Sequence, residues 1–424
     1  MQKKLLSLAI AGALAVPSAA IADVTTKQFD GKHSDITIYG KFHASWDYVD
    51  NDASSSRDDS DDNTAVFRNS RLGFKGTEDL GNGLKGIWQV ETLINTGGDN
   101  VTLRNTYVGL AGDRWGSIKF GKHDTPYKMA TAKLDIFTDT IADYNNIMGA
   151  HISSATRTNA DYEGTTNTTR QTVRLDFNER LNQLLMYTTP NFNGFEAAIA
   201  RESYQMDEDS AIGNQIGGTY DDDWEAWSLM AKYDANFGGY GNLFLSGAYE
   251  IYEGYNNHSA DGDKEIDAWK IGLGYNFDNR FGNTMFSFAF EDIESDGSDN
   301  EATGHGAGVT HGSMTRESFY ANFAHKFGNN VFKLAYAHAD DSDEDGIDNG
   351  AENWSIGIDH NFSKRTKIYA IYTVMDNESE GDYGLYAPNN SGGSSNVISN
   401  SYYVGGNGQG DDIDAFSIGI IHNF

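Results

Sequence analysis

Polar and apolar residues alternate with period two along much of the chain, and three segments repeat the pattern in nearly the same form. Trp269-Lys-Ile-Gly-Leu-Gly-Tyr-Asn-Phe277, Trp354-Ser-Ile-Gly-Ile-Asp-His-Asn-Phe362 and Phe416-Ser-Ile-Gly-Ile-Ile-His-Asn-Phe424 each begin and end on an aromatic residue. Successive side chains of a strand point to opposite faces. Trp269, Ile271, Leu273, Tyr275 and Phe277 therefore share one face, and Lys270, Gly272, Gly274 and Asn276 the other. One face suits lipid and the other water. Aromatic ends about nine residues apart match a strand that crosses the hydrocarbon with its rings at the two polar interfaces. A soluble β-sandwich alternates as well, but it does not need aromatics so regularly at strand ends.

Short turn signals separate the alternating segments at Asp79 to Gly83, Gly112 to Gly116, Pro190 to Gly194, Phe237 to Gly241, Asp278 to Gly282, Gly328 to Asn330 and Ser363 to Thr366. Seven tight turns join fourteen strands. A first strand near Ile36 to Tyr48 and a last at Ile413 to Phe424 bring the expectation to sixteen. The fold class is therefore all-β, a 16-stranded antiparallel transmembrane barrel, even-numbered as closure usually requires. Long polar stretches at Asp50 to Thr64, Tyr204 to Asp223, Glu294 to Met314, Asp340 to Gly350 and Asn377 to Asp411 read as loops at the opposite rim. Ile368 to Met375 carries bulky residues on both faces, which fits either a protomer interface or a strand packed under an inward loop.

The chain opens with Lys3 and Lys4, an apolar run from Leu5 to Val16 and then Ala20-Ile21-Ala22, the three-part form of a cleavable secretory signal. This divides it into a signal peptide at 1–22 and a barrel at 23–424, with export to the Gram-negative outer membrane expected. Beyond the signal, no apolar segment reaches the ~18 residues of a transmembrane helix. The chain is 38% hydrophobic yet 12% aromatic, with 47 Gly and 4 Pro, which suits polar loops on an ordered scaffold better than disorder. Cysteine is absent, so stability falls to the wall, where a closed barrel leaves no unpaired edge. The formal charge of −31 becomes −33 once Lys3 and Lys4 are removed. Such a balance repels nucleic acid and makes cations the expected company.

The run Arg71-Leu-Gly-Phe-Lys-Gly76, the opening Ile38-Tyr-Gly-Lys41, the strand end Gly116-Ser-Ile-Lys-Phe-Gly121 and a terminal Phe424 together resemble the Gram-negative general porins. The resemblance covers essentially the whole mature chain. It implies a homotrimer in the outer membrane, surrounded by lipid and lipopolysaccharide, whose terminal strand is read by the barrel-assembly machinery. It also implies that the third long loop folds inside and narrows the pore. Here the longest unpaired segment after a fifth strand is Thr125 to about Glu179. Within it, Asp135, Asp139 and Asp143 stand at four-residue spacing, which puts the carboxylates on one side if the segment forms a helical turn; a solvated acidic face is the alternative. The loop lacks the family's Pro-Glu-Phe-Gly-Gly turn and has Ala142-Asp143-Tyr144-Asn145-Asn146 instead.

General porins set basic residues on the wall facing such acids, and the matching positions are Lys41, Arg71, Arg104 and Arg180. Parity supports the first two. Lys41 lies opposite in parity to Ile38, Phe42 and Trp46, and Arg71 opposite to Leu72 and Phe74, so both point into the lumen. Arg104 and Arg180 rest on the resemblance, with ordinary surface ion pairs as the alternative. Acids and bases facing across a narrow opening orient dipolar solutes. The expected function is a water-filled channel for passive diffusion of small hydrophilic solutes and ions. The overall charge suggests cation preference, although loop acids beyond a Debye length, about 10 Å at 0.1 M salt, contribute little.

A solute-specific saccharide porin is the nearest alternative, followed by a barrel adhesin and an outer-membrane hydrolase. No Gly-x-Ser-x-Gly element or thiol nucleophile occurs, so the chain is not expected to be an enzyme. No cofactor is expected, with one candidate exception. Asp341-Ser-Asp-Glu-Asp-Gly-Ile-Asp-Asn-Gly-Ala-Glu352 matches the calcium-loop string, with Asp341, Asp343, Asp345 and Glu352 at the donor positions. Strands rather than helices flank it, and Asp348 occupies a position that is usually apolar, so a solvated loop is the stronger reading. Asp58, Asp59, Asp61 and Asp62 are further candidates for divalent ions bridging to lipopolysaccharide. His305 and His311 sit in a Gly-rich stretch without nearby fixed ligands.

Overall fold

A computed structural model describes residues 24–27, 34–52, 60–94, 102–160, 166–205, 223–254, 264–295, 309–310, 314–343, 348–381, 383–385 and 410–424. The expected signal peptide, His305, His311, Asp58, Asp59 and Asp345 lie outside them. Sixteen antiparallel strands among these residues close into a barrel. They are β1 (Ser34–Asp52), β2 (Ser60–Phe67 continued by Arg71–Gly81), β3 (Leu84–Leu93), β4 (Thr106–Gly112), β5 (Gly116–Asp124), β6 (Arg180–Thr188), β7 (Phe195–Gln205), β8 (Asp223–Asn236), β9 (Asn242–Gly254), β10 (Lys264–Asn279), β11 (Gly282–Ser295), β12 (Met314–Phe327), β13 (Asn330–Ala339), β14 (Ala351–Asn361), β15 (Thr366–Asn377) and β16 (Asp412–Asn423). Each pairs with the next, and β16 closes on β1 from Asp52↔Asp412 to Lys41↔Asn423. The short strand Val24–Lys27 pairs with β1 just beyond, at Val24↔Ile38, extending the line of β16.

All seven predicted turns are present. Gly83, Gly116, Gly194, Gly241, Gly282 and Gly328 hold positive φ in or beside six of them, where a side chain would be strained. They lie at one rim, and the long connections at the other. Two long connections, 94–105 and 255–263, were not among the predicted loops.

The predicted alternation sets the two faces of the wall. Trp46 is 60% exposed on the outer face while its near neighbour Lys41 is 4% exposed within. Trp269, Ile271, Leu273, Ile356, Ile358, Ile418 and Ile420 likewise face outward.

The segment after β5 differs from the expectation of one unpaired loop. Thr125 caps a short helix α1 (Pro126–Thr131), its hydroxyl accepting from Lys128 N at 3.2 Å, and a 3-10 turn (Ala132–Leu134) follows. The inward part continues to Gly149. Ala150–Ala160 and Thr166–Asp176 then pair as a hairpin in a separate small sheet, joined by Val309–Thr310. Threonine-rich alternation over 166–173 favours that strand.

Inside the barrel, Ile136, Phe137, Ile141, Ile147 and Met148 of the inward loop pack on a lumen face of small residues, Ala289, Ala324, Ala335, Ala337, Ala339, Ala351 and Ala415. Ile371 and Met375 of β15 join the same cluster. Their burial answers the question of the two-faced strand: the inner side of Ile368 to Met375 lies under the inward loop. Tyr383 and Leu385 of the last long loop are buried in this cluster too. The loop tip thus packs on the β11–β16 side, α1 packs through Tyr127 and Ala130 on the β7–β11 side, and open space is left beside Arg71, Arg104 and Arg180.

Candidate functional site: the constriction

The tip of the inward loop meets β1 and β2. Lys41 Nζ donates to Asp139 Oδ2, and Arg71 Nη2 lies 3.8 Å from the same oxygen. Asn69 Nδ2 donates to Asp139 Oδ1 at 2.6 Å. Asn69 reaches it from a break in β2, where Arg68-Asn69-Ser70 interrupts the ladder and Asn69 has φ of 41°. This is a bulge that shifts strand parity by one and aims an extra polar side chain inward. Asp139 is itself left-handed, with φ of 63°. Burial raises its pKa, but Lys41, Arg71 and Arg104 outweigh that and hold the carboxyl well below the usual range.

Two further arginines are held rigidly beside this contact. Arg104 Nε donates to Glu91 Oε1 at 2.7 Å, and its Nη1 to Asn69 Oδ1 at 3.0 Å. Tyr39 O–H donates to Glu91 Oε2 at 2.8 Å, so the carboxylate that orients Arg104 is itself fixed. Arg180 Nε donates to Asn105 Oδ1 at 2.7 Å, and Arg180 Nη2 lies 2.7 Å from Asp124 Oδ1. Lys128, from α1, approaches the same Asp124 oxygen at 3.6 Å. The four predicted basic residues therefore converge on one region. Glu91, Asn69, Asn105, Asp124 and Lys128 belong to it and were not predicted. The break in alternation at Arg68-Asn69-Ser70 was a readable signal for one of them.

The three predicted acids do not line one side of a helical turn. The 3-10 turn ends at Leu134, Asp135 is extended with φ −75° and ψ 113°, and the chain then winds through turns. Only Asp139 grips the basic wall. Asp135 Oδ1 accepts from Phe137 N at 2.8 Å and from Tyr320 O–H at 3.2 Å, tying the loop to β12. Asp143 accepts from Asp139 N at 2.6 Å and Asn145 N at 3.0 Å, which shapes the tip. Burial, then the neighbouring Asp139, push Asp143 up to about 6. Burial, then Asp143, push Asp135 well above the ordinary carboxylate value.

Beside these groups opens a cavity of about 480 Å³ between the inward loop and the wall. Six cationic residues line it, Arg71, Arg104, Lys128, Lys133, Arg180 and Lys232, against Asp124, Asp135, Asp139, Asp143 and Glu179. Six cations against five acids leave the lining basic by one formal charge. The expected picture of acids and bases facing across a gap is altered here: the loop acid touches its bases, and the gap lies next to the contact.

Three of the four candidate calcium donors, Asp341, Asp343 and Glu352, are described. Gly350 N donates to Asp341 Oδ1 at 2.7 Å, Thr315 N donates to Asp343 Oδ1 at 2.6 Å, and Glu352 sits on β14 opposite His338. No three His, Cys, Asp or Glu side chains converge among the described residues.

Comparisons with known proteins agree with this architecture. The family described as Gram-negative porin matches residues 7–380. Outer membrane porin protein 32 of Delftia acidovorans is 27% identical over the full length of both chains. The major outer membrane protein P.IB of Neisseria gonorrhoeae is 26% identical over 86% of this chain and 91% of its own. Among solved structures, the anion-selective porin from Comamonas acidovorans superposes with a TM-score of 0.65 at 24% identity, covering 92% of this chain and 100% of that one. The trimer form of OmpT from Vibrio cholerae gives 0.54 at 14% identity, covering 92% and 99%.

Proposed function

This chain belongs to the Gram-negative porin family, and from that premise we propose that its constriction prefers anions and that Lys41, Arg71, Arg104 and Arg180 set this preference. The channel is an outer-membrane, water-filled path for passive diffusion of small hydrophilic solutes. What remains is its charge preference, and the observation that carries the proposal is the net basic lining of the cavity beside Asp139.

The overall charge argues the other way only until it is located. The five long polar stretches hold 26 of the 62 acidic residues and one basic residue, Arg57. The described strand ends that these stretches join lie at the rim opposite the short turns, and salt screens charges farther than about 10 Å from the constriction. Fields inside a narrow water passage with low-dielectric walls are screened less, so the nearby arginines dominate. Glu91 and Asp124 orient Arg104 and Arg180 without neutralising the group, since the six cations and five acids of the lining, taken with Lys41 and Glu91, make seven cations against six carboxylates. The similar protein from Comamonas is described as anion-selective, which supports the same reading here.

A homotrimer, lipopolysaccharide around the outer rim and recognition of the Phe424-ended strand by assembly machinery complete the proposal. The trimer form among the similar structures supports the first. No catalytic role is proposed.

Reversal potential in a planar bilayer under a KCl gradient tests the preference. The expected sign is that of chloride, weakened in Arg104→Gln/Arg180→Gln. Cation selectivity in the wild type would overturn the reading, and saturable uptake of sugars in liposomes would favour the saccharide-specific alternative.

A further inference from the structure

A second cavity, about 180 Å³, lies on the other side of the loop tip from the constriction. Arg71, Thr138 and Asp139 border both spaces, so the tip divides them. The far end of the second cavity is the Ser363–Thr366 turn between β14 and β15. Short turns of outer-membrane barrels face the periplasm, so this space lies on the periplasmic side of the constriction.

Its chemistry is one-sided. Lys41, Arg71, Lys333, Lys364, Arg365 and Lys367 line it against only Asp139 and Asp359. Lys333 and Lys367 both hold Asp359 Oδ2 at 2.8 Å, and Lys41 and Arg71 share Asp139 Oδ2. Each carboxylate thus fixes two cations and cancels one. An ammonium has three donors, so Lys333 and Lys367 keep hydrogen-bonding capacity beyond Asp359. Two clusters, each left with one positive charge, face a small common space, and Lys364 and Arg365 add two more at its mouth.

We propose that this cavity is a binding station for small divalent oxyanions, reached after the constriction on the way to the periplasm. One dianion neutralises both residual charges, which two separate chloride ions achieve only by crowding two like charges into about 180 Å³. The station rests on the channel function and not on the proposed anion preference of the constriction.

Sulfate is the probe, because it stays divalent across neutral pH, and nitrate at equal ionic strength is the control. Single channels carrying chloride current are exposed to sulfate from each side in turn. Sulfate is expected to reduce the current, with the lower half-blocking concentration from the short-turn side, and nitrate is not. Lys367→Gln removes one charge-assisted contact while Lys333 still holds Asp359, and raises the half-blocking concentration about tenfold. Arg365→Gln, in the exposed turn where folding is least at risk, raises it less. Absence of sulfate block in the wild type, or block unchanged in both variants, would overturn the station. Cation selectivity together with a Lys367-sensitive sulfate block would instead overturn the constriction reading and leave the station standing.

Discussion

Lys41 and Asp139, 98 positions apart in the chain, form a buried ion pair that fastens the inward loop to the barrel wall. Both side chains are at most one-tenth exposed, so the contact is structural as well as electrical. Removing one partner of such a pair leaves an uncompensated buried charge. In Asp139→Asn the amide keeps an acceptor oxygen within reach of Lys41 and Asn69, and the loop keeps its other anchors. Asp139→Asn is therefore expected to fold and to strengthen anion preference. A unit charge about 7 Å from the ion path in a water-like medium is worth roughly 0.6 kcal/mol, or about threefold in permeability ratio. Reversal potentials of the two proteins measure it, and an unchanged ratio would place the ion path away from Asp139.

Asp143 gives the channel a pH dependence with a definite sign. Its carboxyl is raised to about 6 by burial and by Asp139. A carboxyl with a raised folded pKa disfavours the fold where it must ionise: the cost is absent below the ordinary carboxylate value near 4, grows from there to about 6 and is full above. Lowering the pH from 8 to 5 therefore neutralises one acid at the loop tip, steadies the tip and shifts selectivity further toward anions, with a midpoint near 6. Titrating reversal potential from pH 8 to 5 tests this. Asp143→Asn, which keeps one acceptor oxygen for the backbone donors, is expected to flatten that step.

These effects concern residues that sequence reasoning reached unevenly, for physical reasons. Lys41 and Arg71 were legible because lipid on one side of the wall forces strict alternation, and their parity opposes Phe42 and Phe74. Glu91 and Asp124 were not. Their partners Arg104 and Arg180 are chosen by inter-strand register and by where a loop returns to the wall, and neither leaves a local pattern. The helical spacing of Asp135, Asp139 and Asp143 misled because turn residues take the backbone groups that a helix would use: the Thr138 and Thr140 hydroxyls donate to the carbonyls of Asp135 and Phe137, and Asp143 accepts from Asp139 N. One signal was available and passed over. Ala335, Ala337 and Ala339 alternate on the lumen face of β13, and small apolar residues on a water-filled side mean that something apolar packs there.

That packing supplies another prediction. Phe137 is 1% exposed and sits on Gly357, where an added Cβ would lie 2.8 Å from its ring. Phe137→Ala removes the loop's largest apolar foot at a cost of about 3–5 kcal/mol by analogy with buried phenylalanines. The wall hydrogen bonds do not depend on it, so the barrel is expected to assemble while the loop tip loosens. Single-channel conductance should rise, and liposomes should admit larger sugars. Conductance and exclusion limit equal to wild type would mean that the ion pair at Lys41 holds the tip unaided.

Barrel closure has its own weak point at Gly40. The terminal residue pairs with it in both directions, Gly40 N donating to Phe424 O at 3.0 Å and Phe424 N donating to Gly40 O at 3.1 Å. A Cβ on Gly40 would run into the Phe424 ring and would lie 2.7 Å from Arg71 O on the adjoining strand. The ring could swing away, but the carbonyl belongs to the β1–β2 ladder and cannot move without breaking it. Gly40→Ala is thus expected to weaken closure by about 1–3 kcal/mol, the range for overpacking. Phe424→Ala in the same chain should relieve only part of the defect, because the clash with Arg71 O stays. Folded fraction, read from the heat-dependent shift in electrophoretic mobility, separates the two contacts. Full recovery in the double variant would show that the aromatic ring, and not the backbone of β2, is what requires glycine at this position.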